Sequence, residues 1–440
     1  MFTKLVQYII AGLLILPGVA FAAGAVQLPA TGQATCFGGN GAVIPCAGTG
    51  QDGDMNAGVA WPAPRFTDNG NGTVTDKLTG LIWSKHANSP DINAAAPFVC
   101  GVNAENDMIW LDALDFVACL NTNSYRGFTD WRLPNLNELE SMVNAGVADT
   151  SVYLNANGFS LGTPNTRVQA SQYWTSTSDA GDVAFQSAAA AWDVDLAKGD
   201  FPFSTGKNAL TRAVWPVRGV STVPALLSRT GQALCFDDVG DPRPCAATGE
   251  DGEKLAGAPL PVPRFKPNAG ATFALDRVSG LLWTTDTQTP GTASCVDAGL
   301  ILTWQQALSH VACLNTNAFL GRTDWRLPNR KELRSLADYS TGAPALSTGH
   351  PFNDQFGSTY WSSTTNAGAA TEAWVVSMLD GSLSGAAKGG TLPAWPVSGP
   401  DLVPPVLTIA QGNMTTNVAS QTIGGTVEAG ATVTVVNNGG

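Results

Sequence analysis

The chain has 440 residues and a formal net charge of −12, from 23 Lys and Arg against 35 Asp and Glu. That balance argues against a nucleic-acid binder, because phosphate contacts need a basic stripe that releases counterions. Hydrophobic residues make up 44% of the sequence, enough for sizeable cores, while only 13% are charged, about half the usual quarter of a globular chain, so Ser, Thr, Asn, Gly and Ala must form much of the surface, as suits an exported protein.

Residues 1–22 place one Lys before an apolar run that Pro17 interrupts, and they end on Ala20-Phe21-Ala22. This reads as a secretory signal peptide cleaved after Ala22. The run is short for a membrane span of about 20 residues, and no later segment approaches that length. The mature chain is therefore expected to lack a transmembrane span and to be extracellular, held at the cell surface or periplasmic. All eight cysteines lie beyond this segment, in a compartment where disulfides persist. Zinc thiolates are the competing reading, but three His and no CxxC pair favour disulfides.

The two halves repeat each other. TGQATCF, PCAGTGQDG and PAPRF within 31–66 return as TGQALCF, PCAATGEDG and PVPRF within 230–265. TGLIW (79–83) returns as SGLLW (279–283), VACLNTN (117–123) as itself (311–317), and TDWRLPNLNELESM (129–142) as TDWRLPNRKELRSL (323–336). YWTSTS (173–178) and AVWPVRG (213–219) return as YWSSTT (360–365) and PAWPVSG (393–399). The spacing shortens along the chain, so motifs hold while loops change length. This is a tandem duplication of one large domain, 31–219 and 230–399, rather than a solenoid. The duplicated bodies are expected to fold independently.

Each copy has four cysteines. Cys36 and Cys46 frame a short Gly/Pro loop, Cys100 and Cys119 frame the approach to a helix, and Cys235 with Cys245 and Cys295 with Cys313 repeat both frames. These local pairings are the expectation, each loop of about 10 to 20 residues stabilising by roughly 2 to 3 kcal/mol. RFTDNGNGTVTD predicts a strand, a Gly/Asn turn and a second strand. Trp110, Ala113, Leu114 and Val117 recur on one helical face, as do Trp304, Ala307, Leu308 and Val311. Asn135 and Asn329 can each cap a second helix whose Glu138 or Glu332 reaches back to the cap, turning Leu139, Met142 and Val143 inward in the first copy. Trp192 to Leu196 alternates apolar residues with acids, and Trp374, Val376 and Met378 alternate likewise, which predicts half-buried strands; Gly199 and Asp380-Gly381 supply turns. Two helices beside a small antiparallel sheet make an α+β domain. After Gly399 a tail, 400–440, with Pro404-Pro405 as linker, alternates Val and Thr like the opening strands of an immunoglobulin-like module, a partial all-β domain.

TGLIW, the Trp110 helix, FTDWRLPNLNELESM, YWTSTS and AVWPVRG resemble the DUF1566 family, also called the Lcl C-terminal domain after the Legionella collagen-like adhesin. The resemblance spans roughly 64–219 and 263–399. It implies two tandem C-type-lectin-like domains, related also to the formylglycine-generating-enzyme fold, in which first and last strands pair at the domain base. In the adhesin the module is associated with attachment and polyanionic glycan binding. A chain of net charge −12 lacks the positive field that attracts sulfated polymers.

Nothing in the sequence assembles a catalytic group. His310 stands where the first copy has Phe116, His86 stands where the second has Thr or Asp, and His350 is the third; GxSxG, HExxH and Walker A patterns are absent. The chain reads as a protein that is not an enzyme. Candidate ligand-binding residues are Asp130, Trp131, Arg132 and Trp174, with Asp324, Trp325, Arg326 and Trp361 in the second copy. On the functional reading Trp stacks on a sugar beside a polar Asp/Arg surface; on the other, which is preferred, Trp is core and Asp and Arg pair to fix the loop before the helix. Asp68, Asn69, Asn71 and Asp76 offer hard oxygen ligands that could hold Ca²⁺ in the first copy. The second copy keeps only Asn268 and Asp276 there, and turn chemistry alone accounts for the string. No other cofactor is expected. The favoured function is a secreted or surface binding and adhesion protein whose lectin-like modules recognise a glycan or a surface protein. The alternative is a structural part of an envelope or appendage assembly without a small ligand.

Overall fold

A computed structural model describes residues 26–89, 100, 107–162, 166–179, 188–201, 203–291, 294–295, 301–353 and 359–399, and the short strands Thr408–Ile409 and Gly425–Thr426 beyond them. Residues 1–22, read above as a signal peptide, and nearly all of the tail lie outside the described residues.

In the first copy β1 (Cys36–Phe37) pairs with β2 (Val43–Ile44), and the single turn α1 (Asp52–Met55) follows. Next come β3 (Phe66–Asp68), β4 (Thr73–Asp76), β5 (Ile82–Ser84), α2 (Trp110–Thr122), α3 (Leu136–Ser141), α4 (Thr150–Ala156), β6 (Gln172–Ser178), β7 (Ala190–Asp195), β8 (Thr205–Gly206) and β9 (Val217–Arg218). The second copy repeats the order as β10 (Cys235–Phe236), β11 (Pro242–Arg243), α5 (Asp251–Lys254), β12 (Phe265–Pro267), β13 (Phe273–Asp276), β14 (Leu282–Thr284), α6 (Trp304–Thr316), α7 (Arg330–Arg334), β15 (Thr359–Thr365), β16 (Glu372–Ser377), β17 (Leu383–Ala387) and β18 (Val397–Ser398). The short pair at the tail is β19 (Thr408–Ile409) and β20 (Gly425–Thr426). The chain is α+β, with small antiparallel sheets and few helices.

Beside its two-stranded pair, β1-β2 or β10-β11, each copy has two larger sheets among the described residues. One is a meander closed by the last strand, β3-β4-β5-β9 and β12-β13-β14-β18; the other is β6-β7-β8 and β15-β16-β17. The closing strand joins the third strand of the meander, Ile82 opposite Arg218 and Leu282 opposite Ser398. The expected helices form for the expected reasons. α2 buries Trp110, Ala113, Leu114 and Val117, and α6 the equivalent four. Asn135 and Asn329 complete capping boxes with Glu138 and Glu332, each cap contributing about 1 kcal/mol. α4, which the apolar pattern does not announce, starts on Asp149, whose carboxylate accepts from Ser151 N and Val152 N. The four disulfides pair Cys36 with Cys46, Cys100 with Cys119, Cys235 with Cys245 and Cys295 with Cys313, as the spacing predicts.

Two expectations give way. β7 is buried on both faces, Asp193 and Asp195 included. Arg212 Nε and Thr205 Oγ1 donate to Asp193, and Ala197 N and Lys198 N donate to Asp195, so the acid face is covered and satisfied. Nor do the copies form separate bodies. One hydrophobic cluster runs through both, with Trp192 edge-on to Tyr339 at 5.5 Å and Phe201 bridged to Leu383 by backbone hydrogen bonds.

Candidate functional site

The cystine-braced segment that opens each copy docks on the body of the other. Val26 N donates to Val278 O, and Ala225 N donates to Leu78 O, so each lead segment begins on the far meander. Asp52 Oδ2 accepts from Thr31 Oγ1 in its own segment at 2.7 Å and from Thr364 Oγ1 on β15 of the second copy at 2.6 Å. Asp251 Oδ2 accepts from Thr230 Oγ1 at 2.6 Å and from Thr177 Oγ1 on β6 of the first copy at 2.8 Å. Gln33 exchanges two hydrogen bonds of its amide with the backbone of Thr365, and Gln232 Nε2 donates to Ser178 O. The glycine in QDG and EDG is required here, since a Cβ on Gly53 would lie 2.9 Å from Thr35 O and one on Gly252 2.3 Å from Leu234 O.

The LPN asparagines join this clasp. Each caps its own helix through Oδ1, while Nδ2 donates across the seam, from Asn135 to Ala256 O at 3.0 Å and from Asn329 to Ala57 O at 3.1 Å. A lysine holds the rim of each segment. Lys207 Nζ lies 4.4 Å above the Trp110 ring and donates to Phe236 O and Asp237 O; Lys388 Nζ lies 4.1 Å above Trp304 and donates to Gly38 O. Burial brings both lysines down to about 8 and both clasp aspartates up to about 6. A carboxyl near 6 has the proton affinity of a general acid. These two are wedged between threonine hydroxyls and at most 2% exposed, so the arrangement fastens segments together.

The eight candidate ligand residues divide between this framework and the surface. Trp131, Trp174, Trp325 and Trp361 are buried, and their ring N–H groups donate to Tyr125 O, Met108 O, Phe319 O and Leu302 O. The Trp131 backbone is bracketed by Asn121, as that of Trp325 is by Asn315, so VACLNTN and TDWR interlock. Arg132 and Arg326 pair with the cap residues Glu138 and Glu332 rather than with the neighbouring aspartates, and they also donate to Gly219 O and Gly399 O of the closing segments. Asp130 and Asp324 are the two that reach solvent. Arg218 Nε donates to Asp130 at 2.7 Å while its guanidinium lies 3.8 Å above Phe128, and Arg322 donates to Asp324 and to Ser398.

The proposed calcium string is likewise split. Asp68 is exposed and paired with Lys85, which with the Gly70 N–H holds its carboxyl below the usual range. Asn69 and Asn71 bond Thr73 and Thr75. Asp76 is fully buried in a two-bond pair with Arg65, whose Nη2 also donates to Ser141 O. Arg264 and Asp276 repeat that pair, tying each meander to the end of α3 or α7. Among the described residues no three His, Cys, Asp or Glu converge as a metal site, and no helix is long and apolar enough to cross a membrane. His310 is buried in α6 with its ring nitrogens 2.9 Å from Cys295 O and Pro290 O.

Residues 72–218 and 272–398 both match the model of the Lcl C-terminal domain, together more than half of the chain. The chain belongs to the Lcl C-terminal domain family. It carries the domain twice, and both matched stretches leave out the cystine-braced lead segments. No curated protein matches the chain. Sequence reading missed the cross-copy clasp, the two rim lysines and Trp61. Twelve of the thirteen tryptophans are buried; Trp61 is half-buried, stacked under Arg65 at 4.4 Å.

Proposed function

We propose that this Lcl-domain protein is exported and works by holding a ligand, a glycan or a surface protein, in the manner of an adhesin. The observation that carries this reading is where the family strings go. DWR, LPN and YWTSTS are spent on core, cap and clasp, so the shared residues build a braced frame and leave recognition to exposed loops. The return of the closing strand to the opening meander supports a C-type-lectin-like body, and the Thr408–Ile409 and Gly425–Thr426 pair supports an Ig-like spacer. Four disulfides and the apolar leader support export. Because the copies are locked together, two weak sites would act at a fixed separation and gain avidity.

The exposed Asp130/Arg218 and Asp324/Arg322 pairs are the repeated polar features of that surface. Binding of the full chain to glycan and surface-protein arrays tests the reading, with D130A/D324A as the comparison. A ligand bound by the wild type and weakened in the folded double variant is expected. Absence of any bound glycan or protein contradicts the proposal.

A further inference from the structure

Where the copies meet, α3 and α7 face each other across a partly open cavity of about 30 Å³. One wall is polar, with Asn137, Glu140, Lys331 and Arg334; the lead segments supply an apolar wall with Leu28, Leu226 and Leu227. Asn137 and Lys331 are equivalent positions of the two copies, as are Glu140 and Arg334, so the cavity sits where the duplication meets itself. The sequences differ at this point, LNELE against RKELR. Three buried cations, Arg330, Lys331 and Arg334, therefore share one buried carboxylate, Glu140.

Arg330 Nη2 also donates to Gly199 O at 2.5 Å and Arg334 Nη1 to Asn137 Oδ1 at 2.8 Å, but that carboxylate leaves the cluster short of negative charge. Glu140 meets Arg330 and Arg334 at 3.4 and 3.5 Å, long against the 2.7 to 2.9 Å of charge-assisted bonds. Lys331 Nζ is buried with no hydrogen-bond partner among the described residues, and so is Arg334 Nε; the nearest aromatic face to Lys331, Trp61, is 5.9 Å away. Buried ammonium groups are paired as a rule, and in a chain of net charge −12 a buried surplus of cations has no compositional cause. An anion is the chemistry that such a cluster attracts, and the leucine wall sets its class.

We propose that this cavity binds the carboxylate of a short aliphatic acid, with Lys331 and Arg334 taking the carboxylate and Leu28, Leu226 and Leu227 taking the hydrocarbon. The site exists only when both copies are present, and it is separate from the loop surface assigned to adhesion. Burial, partly offset by Glu140 and reinforced by the nearby charges of Arg65, Arg330 and Arg334, brings Lys331 down to about 8, so binding weakens as pH rises above that value.

Titration calorimetry of the full chain with acetate, propionate and butyrate at constant ionic strength, with sulfate alongside, tests the assignment. Saturable binding of one propionate or butyrate per chain is expected, weakened at least tenfold in K331M. N137D places a carboxylate in the cavity wall beside Arg334, at the cost of the bonds Asn137 Nδ2 donates to Ser228 O and Arg229 O, and is expected to abolish binding in a chain that still melts cooperatively, so the test survives if K331M does not fold. No saturable binding of any acid, binding by N137D equal to wild type, or sulfate binding as tightly as the aliphatic acids overturns the proposal.

Discussion

The clasp aspartates make a quantitative prediction. Asp52 and Asp251 are buried at the seam and each is brought from 3.8 to about 6. Burial favours the protonated form, while the hydrogen bonds from Thr364 and Thr31, or from Thr230 and Thr177, recover part of the loss. Because the folded value lies above the unfolded one, the native state binds more protons between roughly pH 4 and 6, and stability falls as pH rises through that window. A shift of two units corresponds to about 3 kcal/mol per site at neutral pH. Asp52→Asn keeps an oxygen for the two threonine hydroxyls and removes the charge. Urea unfolding at pH 4 and pH 7.5 is the assay, read as the difference between variant and wild type so that other carboxylates cancel. The variant is expected to match wild type at pH 4 and to exceed it by up to ~3 kcal/mol at pH 7.5, with Asp251→Asn behaving alike. A variant less stable than wild type at pH 7.5 would show that the ionised carboxylate is favourable in the clasp, and the reasoning would fail.

Glu138→Gln removes the charge that partners the buried Arg132 while leaving an amide oxygen for the capping box; a loss of about 3 to 5 kcal/mol is expected, and a change below 1 kcal/mol in urea unfolding would refute the pairing. Lys331→Met removes a buried cation that has no hydrogen-bond partner among the described residues, so in the absence of added acid it should raise the melting temperature at pH 7, and a lower one would show a partner for the ammonium. Thiol titration of the unreduced, denatured chain should find no free thiol, and two or more per chain would contradict the pairing. Residues 31–219 expressed alone should be less stable than the full chain, because Thr177 and Asn135 lose Asp251 and Ala256; an unchanged unfolding midpoint would deny the cross-copy contacts their weight.

What was legible in the sequence was local. The α2 and α6 stripes, the asparagine caps with their glutamates, the hairpin at TDNGNGTVTD and the four cysteine pairs follow from spacing of fewer than about 20 residues, over which periodicity and loop closure dictate the outcome. The cross-copy clasp was not legible, for a reason that belongs to duplication. Thr177 and Thr364 occupy the same motif, as do Asp52 and Asp251, so pairing within a copy and pairing across copies use identical chemistry. Only chain geometry separates the two. Lys207 and Lys388 lie in glycine-containing stretches without periodicity, and Lys331 reads as a solvated helix position until the facing copy covers it. The acids of β7 misled for a related cause, since alternation marks a face as polar without telling whether water or Arg212 meets it.

The most direct test of the account is a protease site placed between the copies at residues 220–224, where Val220 and Val223 are exposed. Each body holds the lead segment of the other, so the cut halves should elute together in size exclusion without denaturant and separate only when unfolded. Two halves that part as folded, independent species immediately after cleavage would contradict the interlocked frame.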